Sequence, residues 1–235
     1  EQVRSMFLPL FHDLRRVPGT RGYGAGADTG FEIALATRDP QGRPHKGINW
    51  VKDTALARVE IGTDPATGSI NDTYTNVKMK NLSRWDSTRY LNIWVVRSIS
   101  VGGSGREGGI GGYAQYPWVN IPGGDGVVVD HRYWGTTGVT KGYDATTTHE
   151  VGHWLALIHP FDSSGVDGCK AHHCATDGDR VCDVPPTTKD LHKDILKRRN
   201  SCDNDTIGTP GDWADISANY MDYPTNGQGG LPNHY

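Results

Sequence analysis

The sequence predicts an α+β fold, and three features point to it. An amphipathic helix opens the chain, a series of short strands follows, and the last third has little periodic pattern but much Asp, Gly, Pro and Cys. At 235 residues there is material for one large domain or two small lobes around a sizeable core. The 31 Gly and 13 Pro imply many turns and few long helices. No run approaches a membrane span of about 20 apolar residues. A net charge of −3, with no basic stretch, offers no footprint for nucleic acid.

Val3 to Arg16 reads as a helix with Val3, Met6, Phe7, Leu10, Phe11 and Leu14 on one stripe. Pro9 kinks it or marks its true start, and Pro18-Gly19 ends it. Its apolar stripe suits packing on a sheet. Phe31 to Ala36 alternates as a strand does, and Asp39-Pro40-Gln41-Gly42 follows as a turn. Ile48 to Val51 and Leu56 to Ile61 read as another strand and its extension and residues 62–76 as a loop, while Val77 to Trp85 is mixed in pattern and assigns no element, though it is compatible with a helix. Tyr90 to Val96 is apolar nearly throughout, as in a strand covered on both faces. The glycines between Gly102 and Gly112 read as a flexible loop, since no P-loop lysine accompanies them. Tyr113 to Pro117 fits an edge strand able to pair with an extended peptide, and Gly126 to Asp130 a further short strand.

The next helix carries the chemistry. Asp144 suits its N-cap, whereas Thr146-Thr147-Thr148 is a poor helical first turn that tertiary packing must hold. His149 and His153 are four apart, so both imidazoles lie on one face and reach one ion. Val151, Leu155 and Ile158 form the buried side. His159 comes six residues later, so the chain must leave the helix near Ala156 or Leu157 to bring it in. Three protein ligands with one open position define a catalytic zinc site. Glu150, rotated about 100° around the helix, faces a water on the ion rather than the ion itself. That combination can cut an amide, with zinc acidifying water and Glu150 carrying its proton to the leaving nitrogen. A bare H-E-x-x-H pattern also occurs on ordinary amphipathic helices, where the histidines are merely solvated, so the rest of the chain must supply context.

Cys169, Cys174, Cys182 and Cys202 are separated by four, seven and nineteen residues. These spacings lack the paired knuckles of a structural zinc site. Two disulfides in an oxidising compartment fit better, and cross-links would help hold an irregular lobe. The chain opens at Glu1 without a signal peptide, so a secreted protein processed from a precursor is the expectation. Asp177, Asp179 and Asp183 form the densest carboxylate group, with Asp162 and Asp167 upstream. Oxygen ligands on a tight loop suit calcium; a solvated acidic loop is the alternative, and the spacing leaves both open. Met221 lies between aromatics in Asn219-Tyr220-Met221-Asp222-Tyr223, a pattern more often seen in core packing than at sites.

Together these pieces resemble the metzincin clan of zinc proteases, whose two markers are the long zinc motif and a later Met-containing turn. Within the clan the chain is similar to the pappalysin family. The residues carrying the resemblance are Ala36 to Pro40 with Gly47-Ile48, Tyr90 to Val96, Gly112 to Pro117, Asp125 to Val128, Thr148 to Leu155, Asp177 to Pro185 and Asn219 to Tyr223. The resemblance implies one catalytic domain over residues 1–235. Its upper lobe, 1–159, would hold a twisted, mostly parallel five-stranded sheet, a backing helix and the active-site helix. A smaller irregular, disulfide-linked lower lobe would span 160–235.

The resemblance further implies that His149, His153 and His159 bind zinc and that Glu150 is general base and acid. Met221 would form an apolar floor beneath the metal, and Tyr223 would hydrogen-bond the oxyanion. It implies structural calcium in the segment matching 162–183, a Cys169–Cys202 bridge and, by what is left, Cys174–Cys182. The chain departs from the pattern at Ala156, where the clan has Gly, and in lacking a Cys just after the Met-turn.

The expected function is therefore a secreted zinc endopeptidase, acting as a monomer on protein or peptide substrates. A non-catalytic, zinc-stabilised binding or adhesion module is the alternative. Intact Glu150 and Tyr223 argue against it, because a purely structural site is normally closed by a fourth ligand. Another metallohydrolase such as an amidase is disfavoured by the zinc motif combined with the Met-turn.

Overall fold

The computed structural model describes residues 1–23, 26–63, 70–71, 74–101, 110–119, 121–140, 145–162, 178–185, 187–188, 200, 202, 216 and 219–222. The chain divides into two compact units, Glu1–Trp154 and Leu155–Tyr235.

In the first unit the opening helix is broken in two, α1 (Gln2–Ser5) and α2 (Phe7–Arg15), with Met6 fully buried at the joint. Pro9 falls in the first turn of α2, where a missing N–H costs no intrahelical bond. The helix ends at Arg16, which takes the left-handed conformation at φ 47. Strand β1 (Arg58–Thr63), β2 (Ile70–Asn71) and helix α3 (Tyr74–Asn81) follow. The predicted loop over 62–76 is thus partly strand and helix. Then come β3 (Ile93–Val96), β4 (Ser98–Val101), β5 (Gly112–Ala114), β6 (Val127–Asp130) and helix α4 (Ala145–Trp154).

Among the described residues pairing makes two three-stranded groups, ordered β2-β1-β4 and β3-β6-β5, where one five-stranded sheet is expected. The reason lies at Arg97. There the chain bends, and its N–H donates to Ala57 O at 2.8 Å. One run of chain therefore pairs in parallel first with β6 and then with β1. The outer pairings, β1 with β2 and β5 with β6, are antiparallel.

Two expected strands are absent. Phe31–Ala36 and Ile48–Val51 form no strand and pair with no strand among the described residues, and Phe31, Trp50 and Val51 are 53%, 83% and 51% exposed. Alternation alone does not make a strand when no sheet edge receives it. The turn between them forms as expected: Gly42 N–H donates to Asp39 O at 2.9 Å, and Asp39 Oδ1 accepts from the backbone of Gln41 and Arg43.

The main core gathers Leu56, Val59, Ile61, Met79, Trp94, Val96, Ile99, Tyr113 and Val128. Buried Lys80 reaches this core from α3; its ammonium donates to Gly124 O and lies 5.6 and 5.3 Å from the Trp94 and Tyr113 ring centroids. Side chains alternate across a strand, so Val127 and Val129, both fully buried, lie on the opposite face of β6 from Val128. Gly112 pairs with Val129 and shares that face.

In the second unit the described residues contain no helix or strand. Thr187 N–H donates to Pro160 O at 3.3 Å, and Asn219 caps a turn in which its Oδ1 accepts from Met221 N–H at 2.9 Å and its carbonyl from Asp222 N–H at 3.1 Å. Met221 is 5% and Asp222 1% exposed. Cys182 and Cys202 are both disulfide-bonded. Cys169 and Cys174 lie outside the described residues, as does the Gly102–Gly109 stretch of the first unit.

Candidate metal centre and active site

Helix α4 forms despite three consecutive threonines because its first turn is packed away. Thr146, Thr147 and Thr148 are 2%, 0% and 6% exposed. Thr148 Oγ1 donates to Asp13 Oδ2 of α2 at 2.5 Å. Asp144, the expected N-cap, lies outside the described residues. Every residue of α4 from Ala145 to His153 is buried, Val151 fully; the helix ends at Trp154, so Leu155 and Ile158, expected on its buried side, fall beyond it and are half-buried.

His149 and His153 stand one turn apart, both buried, with ring centroids 4.5 Å apart. The chain then turns sharply at Ala156, whose φ is 79. The expectation was that alanine fits here where positive φ is avoided. Instead the residue adopts the left-handed backbone that favours glycine, at a cost of about 1–2 kcal/mol. That turn brings in His159, and ligand atoms of His149, His153 and His159 lie within 4.8 Å of one another. Among the described residues this is the one group of three or more His, Cys, Asp or Glu close enough to hold an ion.

His159 is set by its own turn. Asp162 N–H donates to His159 O at 3.0 Å, closing a turn with Pro160 at its second position, where the fixed φ of proline fits. The Asp162 carboxylate accepts from His159 Nδ1 at 2.8 Å and from His159 N–H at 3.3 Å. Phe161, 7% exposed, stacks on the imidazole with centroids 4.5 Å apart. With Nδ1 donating to a carboxylate, Nε2 carries the lone pair. Three imidazoles converging on one point, two of them buried, fit zinc in number and donor type.

Glu150 is 6% exposed, and burial pushes its carboxyl up to about 8. A dication held by the neighbouring histidines would pull that value down again. The carboxylate lies against β5 at Gly112: a Cβ there would meet Glu150 Cγ at 2.9 Å, Val128 O at 3.1 Å and Glu150 Oε1 at 3.2 Å. Gly112, read from sequence as the end of a flexible glycine run, is in fact the residue whose bare backbone makes room for Glu150. Strand β5 is the end strand of its sheet. It covers Gly112–Ala114, shorter than the Tyr113–Pro117 span expected. Beyond it Tyr116 packs edge-on to His153 at 5.0 Å and stacks on Trp118, which is 57% exposed.

The other predicted residues are placed unevenly. Tyr223 and Asp177 lie outside the described residues. Met221 is buried in its turn. Asp179 and Asp183 are close enough to interact: burial, with a contribution from Asp183, pushes Asp179 up to about 6 against the pull of its hydrogen bond from Val181 N–H. Sequence reasoning missed the role of Asp162, which it grouped with the calcium carboxylates. The signal was present in His159-Pro160-Phe161-Asp162, a turn with proline at its second position and an acid at its fourth.

Comparison with known proteins points to one family. The model of the Peptidase_M43 family, described as pregnancy-associated plasma protein-A, matches residues 73–229. Extracellular metalloprotease 1 of Coccidioides posadasii is 29% identical over 182 residues, which are 73% of this chain and 57% of that protein. An extracellular metalloprotease of Arthroderma benhamiae is 33% identical over 62% of this chain and 44% of its own length. The chain thus spans only about half the length of these curated relatives. Among solved structures, mirolysin in complex with a small compound superposes with a TM-score of 0.66 at 28% identity, over 98% of this chain and 79% of that one. Mature mirolysin of Tannerella forsythia in complex with a cleaved peptide gives 0.60 at 29% identity, over 98% and 78%.

Proposed function

Because the chain belongs to the pappalysin family of metallopeptidases, the family of pregnancy-associated plasma protein-A, we propose that it is a secreted zinc-dependent endopeptidase acting on protein or peptide substrates. The observation that carries this reading is the convergence of His149, His153 and His159 beside the buried carboxyl of Glu150. Zinc, when bound by these three histidines, would supply a Lewis acid that makes water a nucleophile near neutral pH.

The rest of the chemistry belongs to the chain. Glu150 accepts the proton of the attacking water and returns it to the leaving nitrogen, from a position set by Gly112. Strand β5, with its outer edge facing away from β6, offers backbone groups to an extended peptide. Tyr223 would donate its phenol to the developing oxyanion, and Met221 would line the site from its turn. Calcium in the 162–183 segment, the bridges Cys169–Cys202 and Cys174–Cys182, a first lobe ending at His159 and a monomeric state complete the reading. Secretion is supported by relatives named extracellular metalloproteases. No helix among the described residues is long and apolar enough to cross a membrane.

Digestion of casein or gelatin with and without a chelator tests this proposal. Cleavage that stops on chelation and returns with added zinc is the expected result. A zinc-loaded chain that cleaves neither would instead be the non-catalytic binding module.

A further inference from the structure

We infer that Asp162 is a positioning residue for the metal: through its hydrogen bond to His159 Nδ1 it holds the third imidazole with Nε2 as the ligand atom. The inference rests on the zinc reading above and adds to it a residue outside the zinc motif. His159 differs from His149 and His153 in a way that makes such a residue necessary. The first two histidines project from one helix and are buried at 3% and 6% exposure, so their rings are confined by packing. His159 comes after the left-handed turn at Ala156, on a stretch without helical backbone. Its orientation has to be set locally.

Three local features set it. The turn closed by Asp162 N–H to His159 O, at 3.0 Å, fixes where the Asp162 side chain starts. The carboxylate then reaches back to the His159 backbone N–H at 3.3 Å and to ring Nδ1 at 2.8 Å. Phe161 covers one face of the ring, 12° from parallel. A carboxylate can only accept, so it selects the tautomer with the proton on Nδ1. The Asp162 side chain is 44% exposed, so replacing it leaves no cavity. Its main effect is then expected on the ligand rather than on the fold.

The test is zinc affinity, measured by competition with a chromophoric chelator on wild type, D162A and D162N, alongside the thermal midpoint of each metal-free protein. Loss of an outer partner of this kind typically weakens metal binding about 10–100-fold. D162A should lose affinity in that range while its metal-free midpoint stays near that of wild type. D162N, whose amide oxygen can still accept from Nδ1, should fall between the two. Cobalt(II)-loaded D162A should show an altered visible spectrum, since the third ligand is no longer held in one orientation. If D162A does not fold, D162N and its cobalt spectrum decide the matter alone. Wild-type zinc affinity in the variants would overturn the inference, as would a lowered metal-free midpoint with unchanged affinity. Failure of wild type itself to bind one zinc would instead overturn the zinc reading.

Discussion

Thr148, the residue before the first histidine of the trio, donates its hydroxyl to Asp13, 135 positions earlier in the chain, at 2.5 Å. Asp13 also takes two bonds from Arg21, Nε to Oδ1 at 3.0 Å and Nη2 to Oδ2 at 2.6 Å. Its side chain is fully buried. The opening helix therefore holds the start of the active-site helix through a charged anchor. This contact offsets the weak helical tendency of the three threonines.

Replacing Thr148 with Val keeps the shape but removes one donor from a buried carboxylate. Hydrogen bonds to charged groups contribute about 1.5–3 kcal/mol, so T148V should lose stability in that range. Denaturant unfolding of the metal-free protein measures it. An unchanged midpoint would show that the anchor does not hold the helix.

Ala156 to Gly should act in the opposite direction. Relief of the positive φ of 79, worth about 1–2 kcal/mol, is offset by about 0.4–1 kcal/mol of extra freedom in the unfolded chain. A net gain of up to about 1.6 kcal/mol is expected, read as a raised unfolding midpoint with zinc affinity retained. A loss of stability would mean that the alanine is not strained.

Gly112 to Ala should leave zinc in place and impair cleavage. The added Cβ would sit 2.9 Å from Glu150 Cγ and 3.1 Å from Val128 O, and the backbone oxygen cannot move aside cheaply. Glu150 must give way, and a displacement approaching 1 Å at a catalytic group costs up to about 100-fold in rate. Turnover of a quenched peptide together with zinc content separates the two effects; full activity would show that Glu150 has room to spare.

Removing the metal should lower the unfolding midpoint, because an ion that binds only the folded chain stabilises it by mass action. At free zinc about 100-fold above its dissociation constant the effect is about 2.7 kcal/mol. Thermal melts with zinc and with chelator should differ accordingly. Identical melts would mean that the three histidines hold no ion.

Legibility in the sequence followed the range of the interaction. His149, Glu150 and His153 could be read because helical geometry alone sets their relation. Ile93–Val96 and Val127–Asp130 could be located because continuous apolar runs mark strands, although only the second is buried throughout; the first is shorter than the Tyr90–Val96 run and buried at alternate residues, not on both faces as expected. Phe31–Ala36 alternates just as regularly but meets no sheet edge, a fact of tertiary pairing that no local pattern carries. The switch at Arg97 from one partner strand to another was hidden for the same reason. Gly112 looked like any other glycine in its run until its neighbour across the sheet face proved to be Glu150. Ala156 could be singled out as the position to inspect, but only the backbone shows that it takes the strained conformation.

The central claim is that His149, His153 and His159 hold one zinc at which Glu150 moves the proton. Its most direct test measures zinc per chain and cleavage of one peptide in wild type and in E150A. One zinc in both proteins, with cleavage confined to wild type, is the predicted result. Full cleavage by E150A, or wild type that cleaves without zinc, would contradict it.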